Sequence, residues 1–132
     1  MQEFSPSQET RLTIFVGAVF AFFAVAFGAF GAHFLKATLD ANHTTETYQT
    51  GAHYHLIHAL AILLVAALPL STKVRRRLLI LFSVGIVIFA GSLYLLALTN
   101  FRLLGAITPL GGVCFLSGWA MLALSMRPTH NP

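Results

Sequence analysis

The 132-residue chain is 57% hydrophobic and 9% charged, against roughly 25% charged in ordinary soluble domains, which excludes a soluble globular fold and points to one membrane-embedded domain. The formal charge of +4 does not indicate nucleic acid, because Lys and Arg flank long apolar runs, where they set orientation and meet lipid headgroups. The one cysteine, Cys114, rules out an intramolecular disulfide and reads as a small buried residue within an apolar run.

A polar lead-in of residues 1–11 precedes Leu12–Leu35, whose 24 residues contain no Asp, Glu, Lys or Arg. At about 1.5 Å per residue that is one complete crossing. It is too long for a signal-peptide core, and its flank is not basic, so a permanent helix is expected. Lys36–Thr50 reads as a polar connection with Asp40, Asn42, His43, Glu46, Tyr48 and Gln49. The next apolar run, Leu56–Leu70, spans only about 22 Å of helix, so the second crossing is expected to start near Gly51. Ser71–Arg77 is a basic connection holding Lys73, Arg75, Arg76 and Arg77, the topology and lipid-headgroup residues. Leu78–Leu98 forms a third crossing, Thr99–Leu104 a turn, and Gly105–Met126 a fourth, with Pro109 in its first turn where a missing N–H costs least. The expected fold is an all-α membrane protein, a four-transmembrane-helix antiparallel bundle over 12–35, 51–70, 78–98 and 105–126. Six of the eight Lys and Arg lie on the side of the termini and second connection, so both termini are expected in the cytoplasm.

Small residues should form the helix contacts, because lipid supplies no hydrophobic drive between helices. They are Ala24, Gly28, Gly31 and Ala32 on the first helix, Gly85, Gly91 and Ser92 on the third, and Gly111, Cys114 and Gly118 on the fourth. Leu at Gly28 is expected to cost folding.

Ionisable groups at membrane depth are expensive and mark functional sites, which singles out Gly51–His58, with His53, Tyr54, His55 and His58. At about 100° per residue, Tyr54, His55 and His58 share one side of the helix and His53 points away. His33, Tyr94 and Thr108 are expected at the same outer membrane face, where the cluster would present a ligand-binding site of His33, Tyr54, His58, Tyr94 and Thr108. Three readings compete. The polar groups bond across helices as glue; or His33, His55 and His58 ligate Zn, Cu or haem iron; or the cluster lines a pocket for a quinone, a lipid headgroup or another small molecule, or relays protons. There is no acid within the spans, no Gly-x-Ser-x-Gly elbow and no His-Glu-x-x-His motif, so a non-enzymatic role is expected. A homo-oligomer or the accessory-subunit role in a larger membrane complex is the alternative to a solitary bundle in the lipid bilayer. The sequence leaves the cofactor unknown.

The chain resembles the small four-helix membrane proteins known as domain of unknown function 423, which have relatives among animal transmembrane proteins. The resemblance is carried by Gly28-Ala29-Phe30-Gly31-Ala32-His33, by Tyr48-Gln49-Thr50-Gly51 with Tyr54 and His58-Ala59-Leu60-Ala61, by Gly91-Ser92-Leu93-Tyr94, by Thr108-Pro109-Leu110-Gly111-Gly112, and by Gly118-Trp119. It implies a multi-pass protein of the bacterial inner membrane without an established biochemical role. His33, Tyr54, His58, Ser92, Tyr94, Thr108 and Pro109 fit the family pattern. His53 and His55 depart from it, which argues against a three-histidine metal site as a property of the whole family.

Overall fold

A computed structural model describes residues 5–128, so the first residues of the lead-in and the last of the tail lie outside it. Helix α1 covers Gln8–Ala32, α2 Lys36–Asn42, α3 Thr45–Ala67, α4 Thr72–Thr99 and α5 Thr108–Ser125. A 3-10 turn, Arg102–Ala106, leads into α5. The four long helices are long and apolar enough to cross a membrane, and they run alternately up and down.

The first crossing runs over Gln8–Ala32 rather than 12–35, and two further boundaries differ from the sequence expectation for a shared reason. Helix α3 starts at Thr45 rather than near Gly51, and α4 starts at Thr72 rather than Leu78. The added turns are polar, and nothing in them breaks a helix; polarity moves residues to the outside of a helix without ending it. In α3, Glu46, Gln49 and Thr50 lie outward or half-buried while Tyr48 and Gly51 are buried. The connection before it is also not bare loop. Its short helix α2 buries Leu39 against Tyr48 and Ala97, and Lys36 and Thr45 both reach the Asp40 carboxylate, holding it below the usual carboxylate range. Thr44 Oγ1 donates to the Ala97 carbonyl at 2.7 Å and Asn42 Nδ2 to the same oxygen at 3.1 Å, tying this connection to the end of α4. There Asn100, at φ 56°, closes the helix in the left-handed region, which Asn tolerates well.

At the opposite end, Pro69 pushes Leu68 into an extended conformation and α3 stops. Its last carbonyls then need donors. Arg75 supplies them from α4, its guanidinium donating to Leu68 O at 3.0 Å and Val65 O at 3.5 Å. Of the four basic residues expected at headgroups, Arg75 therefore turns inward, while Lys73, Arg76 and Arg77 are exposed. Arg75→Gln is expected to lower stability by about 1–2 kcal/mol, as for hydrogen bonds made by a charged donor. Arg77→Gln should change it by no more than about 0.5 kcal/mol. Unfolding in detergent, followed by circular dichroism, checks the difference.

Helix α3 is the centre: α1 packs along one side of it and α4 along another, with α5 packed on α4. Buried Ile62, Val65, Leu78, Phe82 and Phe115 join α3, α4 and α5. The glycines divide in two. A Cβ on Gly111 would lie 2.5 Å from the Phe89 backbone nitrogen, one on Gly118 2.6 Å from Phe82, and one on Gly85 2.5 Å from Phe115, so these three let α4 and α5 approach closely. Gly31 does the same for the ring of Tyr48. Gly28 and Gly91 have nothing within 4 Å of such a Cβ. The expectation that Gly28 holds a close contact is thus corrected: it is half-buried beside a hollow between α1 and α3, and Ala24 is the buried residue of that row. Cys114 is half-buried rather than buried.

Within α4 the segment Ile86–Ala90 forms a π-turn. The Gly91 N–H reaches back to the Ile86 carbonyl, five residues earlier. Ser92 closes the turn by donating to Phe89 O at 3.0 Å.

Candidate functional site

The earlier start of α3 changes the depth of its histidines. At about 1.5 Å per residue, His55 lies some 15 Å from the Thr45 end and His58 some 20 Å, so both sit in the middle of a helix long enough to cross. The expected position at the membrane boundary rested on a start near Gly51, and the helix begins six residues earlier. His55 and His58 are 3% and 4% exposed.

The expected cluster separates into four places. His33 caps α1 with an exposed side chain. Thr108 binds Ser92, hydroxyl to hydroxyl at 2.7 Å, joining the start of α5 to α4. Tyr54 and His58 face α5, and Tyr94 meets His55 on the side toward α1. His53 is exposed.

His58 is fully engaged. Its ring stacks on Phe115 at 3.5 Å between centroids, 11° from parallel. Nδ1 lies 2.8 Å from the Tyr54 carbonyl, an oxygen that only accepts, so Nδ1 carries the hydrogen. Trp119 Nε1–H donates to Nε2 at 3.1 Å, and an indole nitrogen only donates, so Nε2 offers its lone pair. These two bonds fix a neutral ring in one tautomer and leave no lone pair for a metal. Among the described residues no three His, Cys, Asp or Glu side chains converge on a metal position. The three histidines of the expected metal trio, His33, His55 and His58, stand apart. His33 is exposed past the end of α1, His58 is occupied by Trp119, and His55 is turned toward α1 and α4.

His55 is different. Its Nδ1 is 3.1 Å from the Tyr94 hydroxyl, while Nε2 is buried with no hydrogen-bond partner. The nearest acceptor from α1 is the Phe20 carbonyl in the helix interior, but its contact with the ring falls outside hydrogen-bond geometry. Phe20 stands edge-on to the imidazole at 6.0 Å and Phe27 tilts against it at 6.1 Å. Because α1 follows α3 and hardly touches α4, a seam stays open between α1 and α4 beside this ring. It holds a cleft of about 320 Å³ lined by Phe20, Phe23, His55, Ala90, Gly91 and Tyr94. Phe27 and Tyr94 also line an adjoining apolar cleft of about 240 Å³ toward Leu35 and Leu98. A larger hollow of about 540 Å³ between α1 and α3 is lined by small residues, Gly28 among them, with Thr45, Gln49 and His53 on its polar side. It contains no unpaired buried polar atom.

Sequence reasoning missed Trp119 as the partner of His58 and Tyr48 as the residue whose hydroxyl donates to Phe27 O at 2.7 Å. Gly31, with no room for a Cβ beside Tyr48, was the local signal for the second; nothing local signals the first, a contact across 61 residues.

Comparison with known proteins gives a consistent result. Residues 27–112 match the model of a family described as "Protein of unknown function (DUF423)". The UPF0382 membrane protein YwdK of Bacillus subtilis is 40% identical over 119 residues, 87% of this chain and 95% of the relative. The UPF0382 inner membrane protein YgdD of Escherichia coli K12 is 42% identical over 120 residues, 86% of this chain and 87% of the relative. A Staphylococcus haemolyticus UPF0382 membrane protein is 39% identical over 119 residues, 87% of this chain and 94% of the relative. No solved structure matches. The chain belongs to the DUF423 family, a family of membrane proteins of unknown function.

Proposed function

We propose that this protein is a non-enzymatic binding protein of the bacterial inner membrane, and that it takes up a lipid-soluble small molecule through the seam between α1 and α4. One observation carries the reading: a buried imidazole with an unpaired nitrogen stands beside the place where two helices leave the bundle open to lipid. An unmatched polar group costs several kcal/mol in hydrocarbon (about 2–7 by transfer measurements), and a ligand that satisfies it recovers part of that cost. His58, Ser92 and Thr108 already have partners and act as polar ties between helices.

Gly91 provides the test. A Cβ there would meet nothing within 4 Å and Gly91 lines the cleft, so Gly91→Leu should fill the seam and leave the fold intact. Wild-type protein purified in mild detergent is expected to carry an apolar small molecule at near stoichiometric amount, detected by mass spectrometry of an organic extract. Gly91→Leu should carry less than about a tenth of it, the loss of roughly 1.4 kcal/mol or more. Equal amounts from both would defeat the reading.

The same protein is read with both termini in the cytoplasm. Arg76 approaches Glu9 at 3.9 Å, which gathers the basic start of α4 beside the start of α1, and this is the end richer in Lys and Arg. A protease site appended to the carboxyl terminus should stay protected in intact cells and be cut in inverted vesicles.

A further inference from the structure

We infer that the seam ligand is an oxidised lipid-soluble quinone, held through one carbonyl oxygen by the Nε2–H of His55. This rests on the seam-binding reading and adds its chemistry. The Tyr94 hydroxyl has one hydrogen-bond partner among the described residues, His55 Nδ1. A phenol hydrogen needs an acceptor, so Tyr94 donates and Nδ1 accepts. The hydrogen of the neutral ring is then on Nε2, the atom with no partner. The ligand group that suits it is an acceptor oxygen bearing no hydrogen.

Depth narrows the source of that oxygen. His55 packs against Phe20 and Phe27, which bracket the middle of the charge-free run Leu12–Leu35, and this places it toward the centre of a hydrocarbon layer about 30 Å thick. Phospholipid ester carbonyls and fatty-acid carboxylates stay at the edges of that layer, about 15 Å away. The acceptor therefore belongs to a molecule soluble throughout the hydrocarbon. The lining adds shape: Phe20, Phe23, Phe27 and Tyr94 surround the cleft with ring faces and edges, suited to a planar conjugated head. From Ile86 to Leu98 the two adjoining clefts follow α4 for about 18 Å, room for an attached apolar tail. Nε2 is itself enclosed, so the carbonyl reaches it by displacing the half-buried ring of Phe20. A quinol would present an O–H to a nitrogen that has no lone pair to offer, and so binds less well.

The test uses full-length protein in lipid nanodiscs with three probes of equal tail length: decylubiquinone, its reduced quinol, and decylbenzene. Equilibrium binding to wild type should be saturable for the quinone and about tenfold weaker for the quinol and decylbenzene, the effect of one buried hydrogen bond. Gly91→Leu should abolish all three. Tyr94→Phe, which frees the imidazole to take either tautomer, should keep binding while erasing the preference for quinone over quinol. That readout would not change if Tyr94 only filled space. Equal binding of the quinone and decylbenzene, both lost in Gly91→Leu, would leave the seam as a binding site and overturn the quinone. A folded wild type that binds none of the probes, or binds them indifferently to Gly91→Leu, would overturn the inference and the seam reading together.

Discussion

Gly111→Ala is expected to be among the most damaging single changes in this chain, although it adds one methyl group. The new Cβ would stand 2.5 Å from the Phe89 nitrogen and 2.9 Å from its Cα, where contacts between carbon atoms settle at about 3.5–4.0 Å. A side chain could rotate away; backbone inside the π-turn cannot. Helices α4 and α5 would have to move apart by about 1 Å, loosening the Phe115 stack on His58 and the Ser92–Thr108 tie together. A loss of about 2–3 kcal/mol or more is expected, at the upper range for overpacking. Gly28→Ala is the control, with open space before it; stability should be unchanged or rise by up to about 1 kcal/mol through helix propensity. Reversible unfolding in mixed detergent measures both. Comparable values for the two would show that α4 and α5 are not held by glycine contact.

The second large effect is expected at His58. Replacing it with Ala removes the ring stacked on Phe115, leaves the Trp119 N–H without its acceptor and opens a cavity among Phe82, Phe115 and Trp119. Side-chain hydrogen bonds inside membrane proteins contribute on average only about 0.6 kcal/mol, whereas emptying a packed site costs about 2–5 kcal/mol. Packing therefore dominates, and His58→Ala should cost about 3 kcal/mol while Trp119→Phe costs about 1 kcal/mol. Trp119 is the only tryptophan, so its emission should also shift in His58→Ala. A stable His58→Ala with unchanged emission would remove the imidazole from the core it is assigned to.

The four crossings were legible because apolar runs of about twenty residues have few other uses. Their ends were not, since Thr45–Thr50 and Thr72–Arg77 are polar yet helical, and hydropathy registers the membrane rather than the helix. Small residues were read as contacts without distinction. Gly85, Gly111 and Gly118 are contacts and Gly28 and Gly91 are not, a difference that depends on which way each helix faces. The importance of Tyr54, His55 and His58 was visible from burying ionisable groups in an apolar span, and the angles that set His53 aside agree with its exposure. Their separation into two sites was hidden. His55 and His58 are about 60° apart around α3, close enough to read as one face, yet one ring enters the seam with α1 while the other enters the core with α5. Trp119 stayed hidden because its partner comes from another helix.

The π-turn at Ile86–Ala90 sets the register between the two halves of α4. Such a turn is equivalent to one residue added to a regular helix. Take that residue away, and everything from Gly91 to Thr99 rotates by about 100° and drops by about 1.5 Å. Ser92 would then turn from Thr108, Tyr94 from His55, and Ala97 from the hydroxyl of Thr44. The lower half of α4, with Phe82 and Gly85 against α5, would stay where it is. Deleting one residue from this turn would therefore be expected to keep the bundle and lose the Tyr94–His55 pair of the seam.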